Sequence, residues 1–266
     1  MAASASAPLW RGGRRWAKAS AVTVGVGVTG VAGEQGKGGV GRAWQGFFAE
    51  RARAGNPHHV RVGYSSAANA RAMKALVRRL MGPPAARLVL DAGCGDGMLT
   101  GGGAGMAGGD RVVGLDYTRG MLDLARAQGL APVCGDIGRL PFGDGAFDLV
   151  ACVETVTVTD DPLASVAELA RVVAPGGRLV VTGLNARSPL RRLVRRALMG
   201  AGHLQPALLD PGEIAAVLQR AGLTVERVVW VAVRLAWEQA AVEGGVGPSL
   251  RGIVAPNFAL VARRPG

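Results

Sequence analysis

The chain has 266 residues, 49% of them hydrophobic and 5% aromatic, so it is long enough for one large domain with an aliphatic core. Its three cysteines form no CxxC pair and no Cys/His cluster at metal-ligand spacing. Their odd number, with two of them in strand-like segments, predicts buried thiols in a reducing compartment. The net charge of +12 is unevenly spread: residues 85–186 carry seven Lys or Arg against twelve Asp or Glu, so nucleic-acid binding is unfavoured.

Residues 1–42 are predicted to be a disordered or processed leader, because they have no acid before Glu34 and little helical periodicity. Three interpretations stay open: an organellar transit peptide, a twin-arginine export signal around Arg14-Arg15, and a flexible tail. Residues 43–266 are predicted to form a single domain. We expect it in the cytoplasm, or in an organellar stroma or matrix if the leader is a transit peptide.

Residues 43–84 are predicted to form an N-terminal helical cap. Ser65 or Ser66 is suited to cap a helix whose apolar residues recur at helical spacing from Ala68 to Leu80. The helix should end at Gly82-Pro83-Pro84, because neither residue type continues a helix well.

Strand-like and helix-like segments then alternate, which predicts an α/β, doubly wound, mostly parallel sheet with helices on both faces. The predicted strands are Arg87–Leu90, Arg111–Leu115, Pro132–Cys134, Phe147–Val153, Gly177–Thr182, Thr224–Val233 and Phe258–Ala262. The predicted helices are Met121–Gln128, Pro162–Val173, Pro189–Met199 and Pro211–Ala221. The last strand follows a segment with two prolines, so it is expected to pair antiparallel at or near an edge.

A glycine turn follows the first predicted strand. Gly93, Gly95 and Gly97 spell GxGxG, and the third glycine of the dinucleotide-binding GxGxxG pattern is replaced by Met98. Asp91, at the end of the strand, would repel a pyrophosphate and attract an ammonium group. The turn is therefore predicted to approach a cationic ligand without phosphates.

Two more acids end the next two strands. Asp116 is placed to accept hydrogen bonds from a ribose diol, and Asp136 to accept one from an adenine amino group. Three acids at successive strand ends around a glycine turn predict a cationic adenine nucleoside, and S-adenosyl-L-methionine has the required groups. Metal ligands at recognisable spacing are not found, so no metal is predicted.

The segments that carry this pattern resemble the class I S-adenosylmethionine-dependent methyltransferases, of the small-molecule type that includes quinone-methylating enzymes. They read VLDAGCGDG, VVGLDYTRGML, GDIGRLPFGDGAFDLV and ELARVVAPGGRLVV. The resemblance implies a seven-stranded sheet of order 3-2-1-4-5-7-6 with an antiparallel seventh strand. It also implies a set of cofactor-binding residues: Asp91, Gly93, Gly95 and Gly97 at the methionine part, Asp116 at the ribose, and Asp136 with Ile137 at the adenine. Cys94 and Tyr117 are also expected to bind the cofactor.

The sequence departs from the family at two places. A run of glycines between Gly101 and Gly109 should shorten or fray the helix after the glycine turn, since each interior glycine costs about 1 kcal/mol relative to alanine. This run is expected to weaken cofactor binding. After the fourth strand, Val158 stands where relatives often have histidine, so no base is carried over to that position.

The catalytic residues are not identified by the sequence, and three weak candidates are left. Glu154 ends the fourth strand and faces either the cofactor or the substrate, or else bonds a nearby loop. Tyr64 is expected over the sulfonium region or as a packing aromatic. His203 is the preferred base if there is one, although each of the three histidines is more simply interpreted as a surface residue.

Residues 185–210 are predicted to form a lid with a basic helix. Leu190, Leu193 and Val194 lie on its predicted apolar face, and the charged face carries Arg191, Arg192, Arg195 and Arg196. A solvated charged face is the simpler interpretation, and the alternative is peripheral contact with an anionic membrane.

The sequence therefore predicts a methyltransferase that moves the methyl group of S-adenosylmethionine to a small, apolar acceptor by in-line displacement. A non-catalytic binding or assembly module with the same fold is the first alternative. RNA methylation is the second, and it is supported by the basic charge alone.

Overall fold

The computed structural model describes residues 39–64, 66–83, 87–101, 110–189, 191–193, 204–233, 239–244 and 255–266. The helices are α1 (Val40–Arg53), α2 (His58–Arg61), α3 (Ala67–Met81), α4 (Arg119–Ala127), α5 (Pro162–Arg171) and α6 (Pro211–Arg220). The strands are β1 (Leu88–Ala92), β2 (Arg111–Asp116), β3 (Ala131–Cys134), β4 (Phe147–Val153), β5 (Val173–Leu184), β6 (Thr224–Val233), β7 (Gln239–Gly244) and β8 (Asn257–Arg263).

The strands form one sheet of order β3-β2-β1-β4-β5-β8-β6-β7. Strands β1 to β5 run parallel, and β8 pairs antiparallel with both β5 and β6. With β8 as the predicted seventh strand, this order confirms the predicted 3-2-1-4-5-7-6 arrangement. The sheet has one strand more than predicted, because β7 pairs antiparallel with β6 beyond the predicted edge.

The last strand is antiparallel as predicted but does not lie at an edge. Five consecutive residues of β8, Phe258 to Ala262, are buried, as expected of a strand with neighbours on both sides. The prolines that suggested an edge, Pro248 and Pro256, precede the strand, so they remove no hydrogen bond from its ladder.

Both faces of the sheet are covered by helices, as the alternation predicted. Val89 and Leu149 point to the side where α3 packs, whereas Leu90 and Val150 belong to the cluster on the side of α5 and α6. All four side chains are fully buried. Successive residues of a strand face opposite sides of the sheet. The sequence of a central strand that is buried on both faces is therefore a continuous apolar run.

Helix α3 begins with the predicted serine cap. The hydroxyl oxygen of Ser66 accepts a hydrogen bond from the backbone N–H of Asn69 at 3.2 Å. This bond satisfies one of the N–H groups that have no partner inside the helix.

We expect Ser66→Ala to lower the free energy of unfolding by about 1 kcal/mol, because the alanine leaves that N–H without its cap. Chemical denaturation measures the change. Ser66→Asn is the matched control and should keep the stability of the wild type, since its side chain also caps. Equal losses in both variants would contradict the capping role.

The predicted start of the domain lies near the beginning of α1, and the two ends of the predicted lid lie next to each other. Helix α1 begins at Val40, three residues before the predicted start of the domain, and residues 1–38 lie outside the described residues. Asn185 directly follows β5 and forms a bridge with Leu209, so the two ends of the predicted lid meet. The division into leader, cap and lid stays a prediction.

The glycine run after the first strand falls largely outside the described residues. Met98 to Thr100 make turns, and residues 102–109 are not described, so the predicted frayed helix stays a prediction. Within the described ranges, no helix combines the length and the hydropathy needed to cross a membrane.

Candidate functional site

The three predicted acids lie along one diagonal at the carboxyl ends of β1, β2 and β3. In the register of the sheet Asp91 is level with Gly114, two residues before Asp116, and Asp116 is level with Cys134, two residues before Asp136. Each acid thus lies about 7 Å beyond the previous one along the strand direction. Residues two apart share a face of the sheet, so Asp91 and Asp116 face the same side.

The glycine turn requires its glycines for two reasons. Gly93, Gly95 and Gly97 have φ angles of +76°, +53° and +76°, a region that residues with a Cβ rarely adopt. In addition, a Cβ on Gly93 would lie 2.2 Å from the side chain of Thr155, and one on Gly97 would lie 2.9 Å from the Cα of Ala125. The turn therefore packs tightly between the segment after β4 and helix α4.

Asp116 holds the glycine turn in place. One carboxylate oxygen accepts the N–H of Gly95 at 3.0 Å, and the other accepts the N–H of Thr118 at 2.8 Å. Burial raises the pKa of Asp116, and these backbone hydrogen bonds act against the rise. Since a carboxylate has about four lone-pair sites, both oxygens can still accept hydrogen bonds from a diol.

Asp91 is almost fully buried, with 1% of its surface exposed. Its carboxylate accepts a hydrogen bond from the hydroxyl of Thr100. Burial raises the pKa of Asp91 to about 7, with Asp116 and Asp96 adding to the rise. A ligand ammonium group beside Asp91 would favour its charged form.

Asp91→Asn is expected to stabilise the unliganded protein at about pH 8 by up to about 4 kcal/mol, because the amide removes a costly buried charge. The folded protein keeps a proton that the unfolded chain loses as pH rises from about 4, so wild-type stability falls until pH passes about 7. The variant should lack this fall. Thermal unfolding from about pH 4 to pH 8 measures the difference, and parallel curves for both proteins would contradict a raised pKa.

The remaining predicted cofactor residues divide into a surface group and a buried group. Tyr117 donates its hydroxyl hydrogen to the carbonyl of Gly41 at 2.6 Å, which ties α1 to the end of β2. Asp136 is exposed and accepts the N–H of Gly138 at 2.8 Å. Cys94 and Ile137 are 6% and 4% exposed and both pack in the core, and the Cys94 thiol donates a weak hydrogen bond to the carbonyl of Gly95 in the turn at 3.6 Å.

A second carboxylate in the turn, Asp96, was missed by the sequence analysis. It is 1% exposed, and it accepts hydrogen bonds from Nδ1 of His58 at 2.9 Å and from Nε of Arg61 at 3.0 Å. The pKa of Asp96 is lowered: burial acts to raise it, but the hydrogen bonds and the charge of these partners outweigh burial. The interpretation of His58 as a lone surface residue is therefore wrong: α2 is attached to the glycine turn.

Another group of polar side chains lies after the end of β4. The carboxylate of Glu154 accepts a hydrogen bond from Nδ2 of Asn257 at 2.7 Å, and Oδ1 of Asn257 accepts one from Arg191 at 3.3 Å. Burial raises the pKa of Tyr64, and the nearby charge of the Glu154 carboxylate raises it further. Of the three catalytic candidates, the structure brings Glu154 and Tyr64 together, and His203 lies outside the described residues.

The start of the predicted basic helix differs from the amphipathic pattern. Arg191, assigned to the charged face, is partly buried and bonds Asn257, whereas Leu193, assigned to the apolar face, is 64% exposed. Arg191 turns inward because it finds a polar partner there. Arg192 is exposed, while Arg195 and Arg196 lie outside the described residues, so membrane contact stays a prediction. In the described part of the chain, no three His, Cys, Asp or Glu side chains form a metal site.

Comparisons with known proteins show what the chain is similar to. Residues 90–181 match the methyltransferase domain family. The chain is 32% identical over 160 residues to a ubiquinone biosynthesis O-methyltransferase of Xanthomonas axonopodis pv. citri, covering 54% of this chain and 66% of that relative. It is 43% identical over 75 residues to a demethylmenaquinone methyltransferase of Mycobacterium sp. (strain KMS), covering 28% of this chain and 33% of that relative.

The fold is similar to that of magnesium protoporphyrin IX methyltransferase from Synechocystis PCC 6803, solved with bound S-adenosylhomocysteine. The TM-score is 0.59 and the identity 19%, over 85% of this chain and 98% of that chain. This likeness shows the fold alone. The sequence matches span just under two thirds of the first relative and a third of the second.

Proposed function

We propose that the chain is a class I S-adenosylmethionine-dependent methyltransferase, which the match to the methyltransferase domain family and the similarity to a ubiquinone biosynthesis O-methyltransferase support. It transfers a methyl group from S-adenosylmethionine to a small acceptor. The observation that carries the proposal is the diagonal of Asp91, Asp116 and Asp136 beside a glycine turn. The cofactor, when bound, supplies a methyl group already activated by a sulfonium. The protein then has to bind the cofactor and the acceptor, orient them towards each other and exclude water.

The residues of the diagonal fit an extended adenosyl ligand in order. Asp91, the deepest acid, is suited to the ammonium group of the methionine part, and its buried charge favours such a partner. Asp116 can accept hydrogen bonds from both ribose hydroxyls, and the exposed Asp136 suits the adenine amino group. The glycines let the backbone approach the ligand closely.

The acceptor is proposed to be a small molecule of the quinone type. The similarity to two relatives, a ubiquinone biosynthesis O-methyltransferase and a demethylmenaquinone methyltransferase, supports this class. The Glu154 group after β4 supports an acceptor with one polar group, because β4 neighbours β1 and Thr155, the residue after Glu154, bonds the glycine turn at Gly93. Most specific small-molecule sites combine an apolar lining with few polar groups.

The proposal is tested by incubating the protein with cofactor carrying a labelled methyl group and a host metabolite extract. We expect label in an organic-soluble product, and no label with the matched variant Asp116→Ala. Cofactor binding without transfer to any acceptor would favour the non-catalytic module instead. Salt-dependent labelling of RNA would favour the RNA methyltransferase.

A further inference from the structure

Glu154 has an unusual backbone conformation. Its φ of +59° makes it the one non-glycine residue with positive φ among those the structure describes. The N–H of Glu154 donates to Oγ1 of Thr182 at 2.9 Å, and the hydroxyl of Thr157 donates to the Glu154 carbonyl. Such strained residues cost about 1–3 kcal/mol and cluster at functional sites. The two threonines thus hold the backbone of Glu154 in a conformation that the chain would not adopt by itself.

The conformation places Glu154 beside the glycine turn. Strand β4 pairs with β1, with Ala151 level with Asp91, so Glu154 lies beyond the deepest acid of the diagonal. The next residue, Thr155, donates its hydroxyl hydrogen to the carbonyl of Gly93 at 3.2 Å. Glu154 therefore lies next to the part of the turn proposed to hold the methionine end, where the reactive methyl group would be.

The side chain of Glu154 is held at one oxygen only. Oε1 accepts the hydrogen bond from Asn257, whereas Oε2 has no hydrogen-bond partner among the described contacts. The Nε of Arg191, in the same group, is buried and likewise has no partner within the described residues. A buried donor without a partner, next to a carboxylate oxygen that is free to accept a hydrogen bond, indicates that a polar ligand group belongs there.

The charges in this group suit the uptake of a proton. Burial raises the pKa of Glu154, which makes its carboxylate a better base than an exposed one, while Arg191 and Asn257 limit the rise. Burial also raises the pKa of Tyr64, so its phenol stays protonated and can donate a hydrogen bond to the acceptor oxygen.

We propose that Glu154 takes the proton of an acidic hydroxyl group on the acceptor, which makes the acceptor a phenol or enol and the reaction an O-methylation. This inference rests on the proposed function. The acceptor proton moves to Oε2, an oxygen lone pair forms the new O–CH₃ bond, and the C–S bond of the cofactor breaks with its electron pair going to sulfur. The sulfonium becomes a neutral thioether, and Glu154 returns the proton to water.

Glu154→Gln tests the proposal, because it keeps the shape and hydrogen-bonding capacity of the side chain but cannot take a proton. The probes are catechols whose hydroxyl acidity is varied by ring substituents. We expect kcat to fall about 100-fold or more for the least acidic catechol and progressively less for more acidic ones, which need less help from a base. Affinity for S-adenosylhomocysteine should stay within about threefold of the wild type. The control is Glu213→Gln, an exposed acid of α6, which should leave kcat unchanged.

Arg191→Met gives a second readout. Because Arg191 lowers the pKa of Glu154, its removal should shift the acidic limb of the pH–kcat/KM profile to higher pH. An unshifted limb, or a Glu154→Gln defect equal for all catechols, would overturn the proposal.

The proposal also fails if the wild type binds S-adenosylhomocysteine but methylates no catechol, or if the labelled product of the extract is a C- or N-methyl compound. A folded wild-type protein that does not bind S-adenosylhomocysteine defeats the proposed function itself.

Discussion

Asp116→Ala is expected to weaken the binding of S-adenosylhomocysteine by about 100- to 10,000-fold. The reason is that two hydrogen bonds from the ribose to a charged group are lost together, each worth about 1.5–3 kcal/mol. The same substitution removes the acceptors of the Gly95 and Thr118 backbone N–H groups, so the turn itself should loosen. Isothermal titration calorimetry measures the change in affinity.

Two controls separate the ligand contact from general damage. Asp123→Ala removes an acid of α4 whose side chain is 75% exposed, and it should leave the affinity unchanged. Asp116→Asn retains one oxygen acceptor and should lose less affinity than the alanine variant. Affinity for S-adenosylhomocysteine within about threefold of the wild type in Asp116→Ala would contradict the assignment of Asp116 to the ribose.

Gly93→Ala is expected to lower the free energy of unfolding by about 2–5 kcal/mol and to abolish cofactor binding. The left-handed conformation costs a residue with a Cβ about 1–2 kcal/mol, and overpacking adds about 1–3 kcal/mol. The overpacking arises because the new Cβ would lie 2.2 Å from the side chain of Thr155. Denaturation and calorimetry with S-adenosylhomocysteine measure both effects.

Gly129→Ala is the matched control, because Gly129 also has a positive φ, of +87°, but has no atom within 4 Å of an added Cβ. It should show the conformational cost alone and keep cofactor binding. Thr155→Gly should partly restore the stability of Gly93→Ala, since it removes the clashing atoms. If Gly93→Ala were no more destabilising than Gly129→Ala, the tight packing of the turn would be contradicted.

The parts of the site that sequence could predict are those encoded within short segments. The strand that ends at Asp91, the glycine turn and the strand that ends at Asp116 each have a local pattern of apolar residues, glycines and acids. Parallel pairing then brings the strand ends to one edge, so their mutual position follows from the fold class. The cap at Ser66 was predictable for the same reason, since it depends on a bond to Asn69.

The contacts that sequence could not predict join residues far apart in the chain. His58 and Asp96 are 38 residues apart, and Glu154 and Asn257 are 103 apart. The sequence around a histidine or a glutamate does not indicate which distant residue it will bond. Each of these residues could therefore be interpreted only from its own position in the chain. The inward turn of Arg191 has the same origin: its partner lies on β8, and helical periodicity carries no information about it.

The edge of the sheet was missed for a different reason. Strand β7 has the sequence QAAVEG, and its alanine, glutamate and glycine residues are depleted in strands, so propensity does not favour it. It forms by pairing with the long strand β6, whose free edge provides hydrogen-bond partners. Pairing with β6 thus determines the secondary structure of this segment, which its local sequence preference does not.

Calorimetric titration of the wild-type protein with S-adenosylhomocysteine, and separately with NAD, tests most directly whether the acids of β1, β2 and β3 hold an adenosyl ligand without phosphates. At about pH 8, where Asp91 is mostly ionised, we expect saturable binding of one S-adenosylhomocysteine per chain and no binding of NAD, because the Asp91 carboxylate repels a pyrophosphate. Binding of NAD, or the absence of binding by S-adenosylhomocysteine to the folded protein, would contradict it.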